Sequence, residues 1–435
     1  MVSPRVPSSH LEMLDALDAA AWPGVATVPA GWQTRLRARA AEAQFARVCA
    51  RAGIELDPSA GADLVVEHAE LFARIADGGW VGLAEGYMAG EWRADSLVDV
   101  LAALLEAGYR PRGRAAGPGR ASGGDVPPDL VQHYAGDGMS AFAGHFATGV
   151  ATTQREMVAS HVPGAGRGSE PASHFVDVTR IEAPLATERG DLANAQRRTV
   201  EMLLGAGAVG AGTHLVEYPA SGGAVAIAAA HRRATVDCIT ADAAVARGMD
   251  ERITFAGVTG AVRVEADVDA GLRRRGYYDA AVGVEKLETF GPREKGAYLA
   301  ALGTLIHPGG RAALQTVTRT EKYSPAADAA LDSLRAYVWP GLSFSTPEEI
   351  ARVVDRETGL RVIAETHAPQ HLERSLRLQR ETFDAHLREA AADGFDAVYR
   401  RLWRWQFALR EALARLGMTD LVQLTLVQRS RRGRR

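Results

Sequence analysis

Short apolar runs alternate with helical segments through the second half of this 435-residue chain. The runs typical of buried strands are Thr213–Tyr218, Thr235–Ile239, Tyr278–Val284 and Gly310–Thr318. The segments with helical character are Ala193–Leu204, Gly223–Arg232, Arg293–Ile306 and Pro347–Thr358. Strands that alternate with helices favour parallel pairing, because each helix carries the chain back across the sheet. The sequence therefore predicts an α/β fold with a doubly wound parallel sheet. The predicted fold ends with a long, arginine-rich helical segment at Phe383–Leu416 and a final strand at Leu421–Gln428.

A segment rich in Gly, Pro and Arg interrupts the chain before this alternation begins. It reads RPRGRAAGPGRASGGDVPP and covers Arg110–Pro128. Such a composition favours an exposed linker over a packed element. We therefore predict a small, mainly helical domain at 1–109, a linker at 110–128 and the α/β domain at 129–435.

The first domain contains two segments with clear helical patterns. In Trp32–Ala52 the predicted apolar face comprises Leu36, Ala40, Ala43, Phe45 and Val48. In Ser96–Ala107 the serine is a suitable N-cap residue. Between them, Asp63–Ile75 is typical of a strand followed by a turn.

Composition excludes several classes of function. The chain has 50 basic and 53 acidic residues, for a net charge of −3, which argues against a nucleic-acid partner. Two cysteines, Cys49 and Cys238, cannot supply a disulfide scaffold or a thiolate zinc cluster. The twelve histidines lack metal-site spacing, and no GxxxxGK[ST], HExxH or CxxC motif occurs. With no apolar run of about 20 residues and no signal-peptide pattern, we expect a cytoplasmic protein without a metal site.

Six segments carry more specific information because they occur in a fixed order. They are GLAEGYMAGEW (Gly82–Trp92), HY (His133–Tyr134), GVEKLETFG (Gly283–Gly291), YVWPG (Tyr337–Gly341), RSLRLQRETFDAH (Arg374–His386) and RLWRWQFALREALARLGMTDLVQLTLV (Arg401–Val427). Together they resemble the cyclopropane-fatty-acyl-phospholipid synthases and the related mycolic-acid methyltransferases.

That resemblance implies a Rossmann-like methyltransferase sheet and a lipid-facing N-terminal domain. Members of the family move a methyl group from S-adenosylmethionine to the cis double bond of an acyl chain. A carbocation forms, and a bound bicarbonate removes a proton so that the ring closes. The implied partners are phospholipid acyl chains, with peripheral contact at the inner face of the membrane. The resemblance also leaves open a homo-oligomer or a partner enzyme. It assigns Tyr134 to the cofactor site.

The cofactor loop departs from the family pattern. Where the family has Glu-x-Gly-x-Gly-x-Gly, this chain has EYPASGG, Glu217–Gly223. Pro219 and Ser221 replace the first two glycines; proline fixes φ near −65° and lacks an N–H, so the usual turn is not expected there. The residues left for cofactor binding are Glu217, Ser221, Gly222 and Gly223. An alternative role for the glutamate is to cap nearby amides at the end of its strand.

The next strand leads into ITADAAVARG, Ile239–Gly248, where the family has Thr-x-Ser-x-x-Gln. Thr240 is retained, whereas Asp242 and Val245 replace the serine and the glutamine. Thr240 and Asp242 are therefore further cofactor-binding candidates, and the valine cannot supply the hydrogen bonds of an amide.

Three of the four bicarbonate ligands of the family are replaced. The cysteine falls at or near Ala151, the histidine on Gln315 and the tyrosine on Leu372, while the glutamate remains as Glu288. In an apolar acyl channel Glu288 would stabilise a cation or act as a base, with a raised pKa. The alternative is a carboxylate at a helix start held by backbone amides. Gln315 is predicted either to contact a cofactor ring or to be a hydrogen-bonded core amide, and Glu285 to have a structural role.

Three hypotheses for function follow from these departures. The first is one-carbon transfer from a different donor, for example methylenetetrahydrofolate with a reduced flavin. The second is a catalytically silent paralogue that binds lipid or supports a partner enzyme. The third is an ordinary S-adenosylmethionine-dependent enzyme with an unusual loop. The retained Glu288 favours transfer from a different donor over a silent paralogue. Pro219 and Val245 argue against the ordinary S-adenosylmethionine-dependent enzyme.

Overall fold

A computed structural model describes residues 10, 14, 17–56, 61–113, 126–147, 153–162 and 173–429. The chain forms two compact units. Unit 1 comprises Met1–Gly123, Lys322–Pro340 and Leu387–Met418, and unit 2 comprises Gly124–Glu321, Gly341–His386 and Thr419–Arg435. Unit 1 thus includes two segments from beyond the predicted linker. Most of that linker, residues 114–125, lies outside the described residues.

A single sheet dominates unit 2. Its strands are β3 (Thr153–Ala159), β4 (Phe175–Ile181), β5 (His214–Glu217), β6 (Thr235–Ile239), β7 (Val262–Glu265), β8 (Tyr278–Val284), β9 (Ile306–Arg319), β10 (Leu360–His367) and β11 (Thr419–Gln428). Within the described chain the order is β3–β4–β10–β11–β9–β8–β5–β6–β7. This arrangement is the predicted α/β class with a large central sheet.

The central strands pair in parallel, as the alternation of strands and helices predicts. β7, β6, β5, β8 and β9 are neighbours in one parallel set, and β11 is antiparallel to both β9 and β10. The carboxyl ends of β5, β6, β8, β9 and β10 therefore lie along the same edge of the sheet. In doubly wound sheets this edge holds the ligand site, because loops from successive strands meet there.

Helices cover both faces of the sheet. In unit 2 they are Pro128–Val131, Leu192–Ala206, Ala224–His231, Ala243–Phe255, Val268–Leu272, Pro292–Leu305, Pro347–Glu357 and Pro369–Ala385. On one face Leu203 and Val225 pack with Ala313 of β9. On the other, Leu299 and Ile350 pack with Leu314 of the same strand. Two buried faces explain why these strands read as continuous apolar runs.

Unit 1 is mainly helical. Its helices are Pro23–Ala26, Trp32–Ala52, Glu70–Gly78, Trp80–Ala89, Leu97–Glu106, Pro325–Tyr337, Leu387–Ala392 and Ala397–Arg415, and β1 (Leu64–Val66) pairs with β2 (Trp92–Ala94). The buried Arg74 pairs with Glu91 at 2.8 Å, and its guanidinium also donates to the carbonyl of Val25. Trp405 donates its indole N–H to Ser333. This contact ties the late helices to each other inside unit 1.

Three sequence-based predictions in this part of the chain differ from the structure. The predicted long helical segment Phe383–Leu416 is divided between the end of helix Pro369–Ala385 and the helices Leu387–Ala392 and Ala397–Arg415. Gly394, with a φ of 96°, lies at the second of the two breaks. Asp63–Ile75 contains a three-residue strand, as predicted, but then a helix in place of the turn. In helix Trp32–Ala52 the predicted apolar face is wrong for Leu36, Ala40 and Ala43, which are exposed, and correct for Phe45 and Val48, which are buried. No helix in the described ranges is long and apolar enough to cross a bilayer.

Candidate active site

The sequence-predicted site residues gather at the carboxyl edge of the unit 2 sheet. Glu217 ends β5, Thr240 follows β6, and Glu288 lies in the short 3₁₀ helix Leu287–Thr289 after β8. Gln315 of β9 is the register partner of Val284, the last residue of β8. Tyr134 is buried and comes three residues after the helix Pro128–Val131. The edge therefore brings together Glu217 and Gln315, which are about a hundred positions apart in the chain.

Glu217 accepts hydrogen bonds from the loop that follows its own strand. Its Oε1 accepts a hydrogen bond from the backbone N–H of Ser221 at 2.8 Å and a second from the Ser221 hydroxyl. Its Oε2 lies 3.6 Å from the thiol of Cys238. Burial raises the pKa of Glu217, and the Ser221 bonds oppose that rise. These contacts match the alternative in which the glutamate caps nearby amides at its strand end.

The tight turn of this loop lies at its two glycines. Gly222 has a φ of 99° and Gly223 a φ of 107°, values that side-chain-bearing residues rarely adopt. A Cβ atom on Gly222 would lie 2.7 Å from the carbonyl oxygen of Met139. Arg252 fixes the turn by donating to the carbonyl of Gly222 at 2.8 Å and of Gly138 at 3.0 Å. Pro219 therefore does not prevent a left-handed turn; the turn forms after it.

Thr240 and Asp242 shape the start of the next helix. Asp242 is the N-cap of helix Ala243–Phe255, and its Oδ1 accepts from the backbone N–H groups of Ala244 and Val245. The Thr240 hydroxyl accepts from the N–H of Asp242 at 3.1 Å. Among the described residues, Oδ2 of Asp242 accepts no hydrogen bond. Asp242 follows Gly222 by about 20 residues, the spacing at which Rossmann-type sites have an acidic residue that binds a ribose hydroxyl.

Glu288 is a buried carboxylate with two donors. Its Oε2 accepts from the hydroxyl of Thr316 at 2.7 Å, and its Oε1 accepts from the N–H of Val317 at 3.2 Å. Burial, and secondarily the charge of Glu285, raises the pKa of Glu288 to about 7. Both protonation states are therefore accessible near neutral pH, as acid–base chemistry requires.

Gln315 belongs to a network of buried side chains. Its Nε2 donates to the carbonyl of Ala143 and to Oε1 of Glu285, each at 3.0 Å, and its Oε1 accepts from Nε2 of Gln423 at 3.0 Å. Glu285 also accepts from the N–H of Ala143 at 2.7 Å. Of the two roles left open for Gln315, these contacts match the hydrogen-bonded core amide.

The two predicted catalytic residues lie on opposite faces of β9. Gln315 projects from one face, and Glu288 bonds Thr316 on the other. Gln315 and Thr316 are successive residues of one strand, so their side chains point to opposite sides of the sheet. Glu285 is bonded to the first and Glu288 to the second. Sequence reasoning assigned Glu285 only a structural role and missed Gln423. An amide in the otherwise apolar strand LVQLTLV was the available signal.

The segment Phe142–Phe146 runs beside this network and is anchored through side chains. Ser375 bonds both the N–H and the carbonyl of Gly144, and Thr199 accepts from the N–H of His145. The His145 ring contacts Thr199 through Nδ1 at 2.8 Å, whereas its buried Nε2 has no partner among the described residues. Burial lowers the pKa of His145 to about 3, so the ring is neutral. Sequence gave no signal for this residue.

Two further positions that the resemblance matches to bicarbonate ligands are occupied by apolar residues. Leu372 is buried in helix Pro369–Ala385, and Ala151 lies outside the described residues. The neighbouring His371 uses both ring nitrogens, one toward the N–H of Phe146 and one toward the carbonyl of Glu182. In the described part of the chain no group of three or more His, Cys, Asp or Glu side chains is arranged to hold a metal ion.

Comparison with known proteins gives concordant matches. The family model for mycolic acid cyclopropane synthetase matches residues 183–424. A curated relative, tuberculostearic acid methyltransferase UfaA1 of Mycobacterium tuberculosis, is 29% identical over 424 residues, which cover 95% of this chain and 96% of the relative. A solved structure, the cyclopropane synthase MmaA2 from Mycobacterium tuberculosis, is 21% identical with a TM-score of 0.50. The match covers 57% of this chain and 88% of that one, and it supports the fold.

Proposed function

This chain belongs to the mycolic acid cyclopropane synthetase family, a family of one-carbon transferases, and we propose that it modifies the double bond of an unsaturated fatty-acyl chain. The proposed substrate is the acyl chain of a phospholipid. The name of the relative UfaA1, a tuberculostearic acid methyltransferase, supports acyl methylation as the reaction type. Loss of a proton from the added methyl group closes a ring, whereas loss of a proton from a neighbouring chain carbon leaves a methyl-branched alkene.

The buried carboxylate of Glu288 carries this proposal. When an electrophilic methyl group is added to an alkene carbon, one C–C bond forms while the bond between the methyl group and its donor breaks, and the donor keeps that electron pair. A cation is left on the other alkene carbon, so a proton must depart to restore neutrality. Glu288, with a pKa of about 7, stabilises that cation when ionised and accepts the proton. The Thr316 hydroxyl and the Val317 N–H hold the carboxylate in place.

We propose S-adenosylmethionine as the donor, a group that would supply an electrophilic methyl. Two features of this chain fit it: the turn at Gly222 and Gly223, and the unbonded Oδ2 of Asp242, which suits a ribose hydroxyl. Glu217 does not take part, since Ser221 occupies it. The hypothesis of methylenetetrahydrofolate with a reduced flavin rests on the replaced residues of the cofactor loop and of the bicarbonate site, and the glycine turn weakens the first of these two arguments.

Isotope labelling in a host that lacks its own cyclopropane synthase tests both statements. Cells expressing the chain are grown with methionine deuterated in its methyl group, or with serine labelled at its side-chain carbon, which feeds the folate pool. We expect acyl chains that gain one carbon carrying two or three deuterium atoms from methionine. Label from serine, in cells supplied with excess unlabelled methionine, would support the folate donor. Unmodified lipids would contradict catalysis and favour the silent paralogue.

A further inference from the structure

Lys295 is a buried lysine to which the proposed reaction assigns no role. It lies in the first turn of the helix Pro292–Leu305, and only 5% of it is exposed. Its Nζ donates to the carbonyl of Ser343, and to the hydroxyl of Ser345 at 2.9 Å. Burial of an amino group is costly unless the group is hydrogen-bonded, so Lys295 and the segment that carries the two serines hold each other in place.

The main chain at Ser343 lies against the 3₁₀ helix that carries Glu288. The N–H of Ser343 donates to the carbonyl of Glu288 at 2.8 Å, and its hydroxyl donates to the carbonyl of Phe290 at 3.1 Å. The approach is closest at Gly341, where a Cβ atom would lie 2.6 Å from the carbonyl oxygen of Thr289. A single turn of 3₁₀ helix has little stability of its own, so these contacts set where the main chain of Glu288 lies.

The serine segment is also bonded to β9, the strand that holds the Glu288 carboxylate. The carbonyl of Ser345 accepts from the N–H of Arg319, the last residue of β9, at 3.1 Å. The same strand supplies the two donors to the carboxylate oxygens. A closed ring of hydrogen bonds therefore joins the main chain of Glu288, the serine segment, β9 and the carboxylate. Lys295 bridges Ser343 and Ser345, the two points at which the segment contacts the rest of this ring.

We propose that Lys295 is a positioning residue, which fixes the Glu288 carboxylate by bracing the segment from Ser343 to Ser345 against the 3₁₀ helix and β9. The inference rests on the proposed function, because positioning affects the rate only if Glu288 accepts the proton. A displacement of about 1 Å at a reacting group can cost about 100-fold in rate, so even partial loosening of this ring should be measurable.

The kinetics of Lys295→Met test this role, since methionine keeps most of the buried apolar stem and removes the donor nitrogen. We expect kcat to fall about tenfold, with unchanged KM for the donor and for the acyl substrate. In a Glu288→Gln background the same change should lower the rate by less than about twofold, because the base that Lys295 positions is absent. Lys322→Met, the same substitution at an exposed lysine of unit 1, should match the wild type.

A milder variant keeps the test decisive if Lys295→Met does not fold. Ser345→Ala removes one of the two acceptors and leaves the lysine in place. It should lower kcat about threefold, again with unchanged KM and again only when Glu288 is present.

Hydrogen exchange adds a readout that does not depend on turnover. In Lys295→Met the amides of 341–345 and of Leu287–Thr289 should exchange faster than in the wild type, whereas those of β6 should not change. Unchanged exchange in both segments would overturn the proposal, and so would faster exchange with an unchanged kcat or equal rate losses with and without Glu288. A wild type that transfers no carbon would count against the proposed function, and the exchange rates would then decide whether Lys295 braces the segment.

Discussion

Glu285 and Glu288 follow the same strand three residues apart, yet their surroundings differ. Glu288 is buried and bonded to Thr316, and its pKa is raised to about 7. Glu285 is partly exposed and accepts from the Ala143 N–H and from Gln315. Its φ of 48° lies in the left-handed region, which is uncommon for a residue with a side chain. Spacing along the chain therefore says little about chemistry here; the face of β9 that each carboxylate meets decides it.

The largest expected effect is a difference in enzymatic activity between variants of the two carboxylates. Glu288→Gln should lower the rate of acyl modification by about 100-fold or more, because the amide can neither accept the proton nor balance the cation. Glu285→Gln should cost far less, since glutamine can still accept from the Ala143 N–H. Product formation by the purified variants, with circular dichroism to verify folding, makes the comparison. Equal losses would remove the distinction between the two residues.

Glu288→Gln should also make the protein more stable than the wild type at alkaline pH. The pKa of Glu288 is about 7 when folded against 4.5 when unfolded, so stability is fully present below pH 4.5 and is lost as the pH rises through 7. Glutamine does not titrate. Relative to wild type, Glu288→Gln should therefore gain up to about 3 kcal/mol in the free energy of unfolding between pH 4 and pH 8. Urea denaturation across that range measures it; a constant difference would contradict burial of an ionisable group.

Much of the sheet could be predicted from sequence because its strands are short apolar runs buried on both faces. The predicted strand Thr235–Ile239 coincides with β6, and Tyr278–Val284 coincides with β8. The family resemblance placed Glu288 after β8, where the structure has it. Local pattern and tertiary position agree in these cases because parallel strands leave few alternatives.

The polar network could not be predicted in the same way. Gln315 meets Gln423 across 108 positions and Ala143 across 172, contacts that no local pattern specifies. The resemblance matches Gln315 and Glu288 to one ligand set, whereas in the structure Gln315 bonds Glu285 and its neighbour Thr316, on the opposite face of β9, bonds Glu288. The unit 1 boundary was missed for a related reason: the segments 322–340 and 387–418 return to a unit that begins the chain.

The glutamine pair should show energetic coupling that leaves Glu288 unaffected. Gln315→Leu alone removes a donor from Glu285 and leaves the Gln423 side chain short of a partner, at a cost of about 1–3 kcal/mol. Gln423→Leu should cost a similar amount, and the double variant less than the sum, because the partners are lost together. Urea denaturation of all four proteins tests this. Strict additivity would mean that the two amides do not act as a pair.

The smallest expected effect is the most specific, because two substitutions should move one pKa in opposite directions. The charge of Glu285 raises the pKa of Glu288, so Glu285→Gln should shift the acidic limb of the pH–rate profile downward. The Thr316 hydroxyl stabilises the ionised form, so Thr316→Val should shift the same limb upward. Each shift should be about one pH unit or less. If both variants moved the limb in the same direction, or neither moved it, the group that titrates in the reaction would not be Glu288.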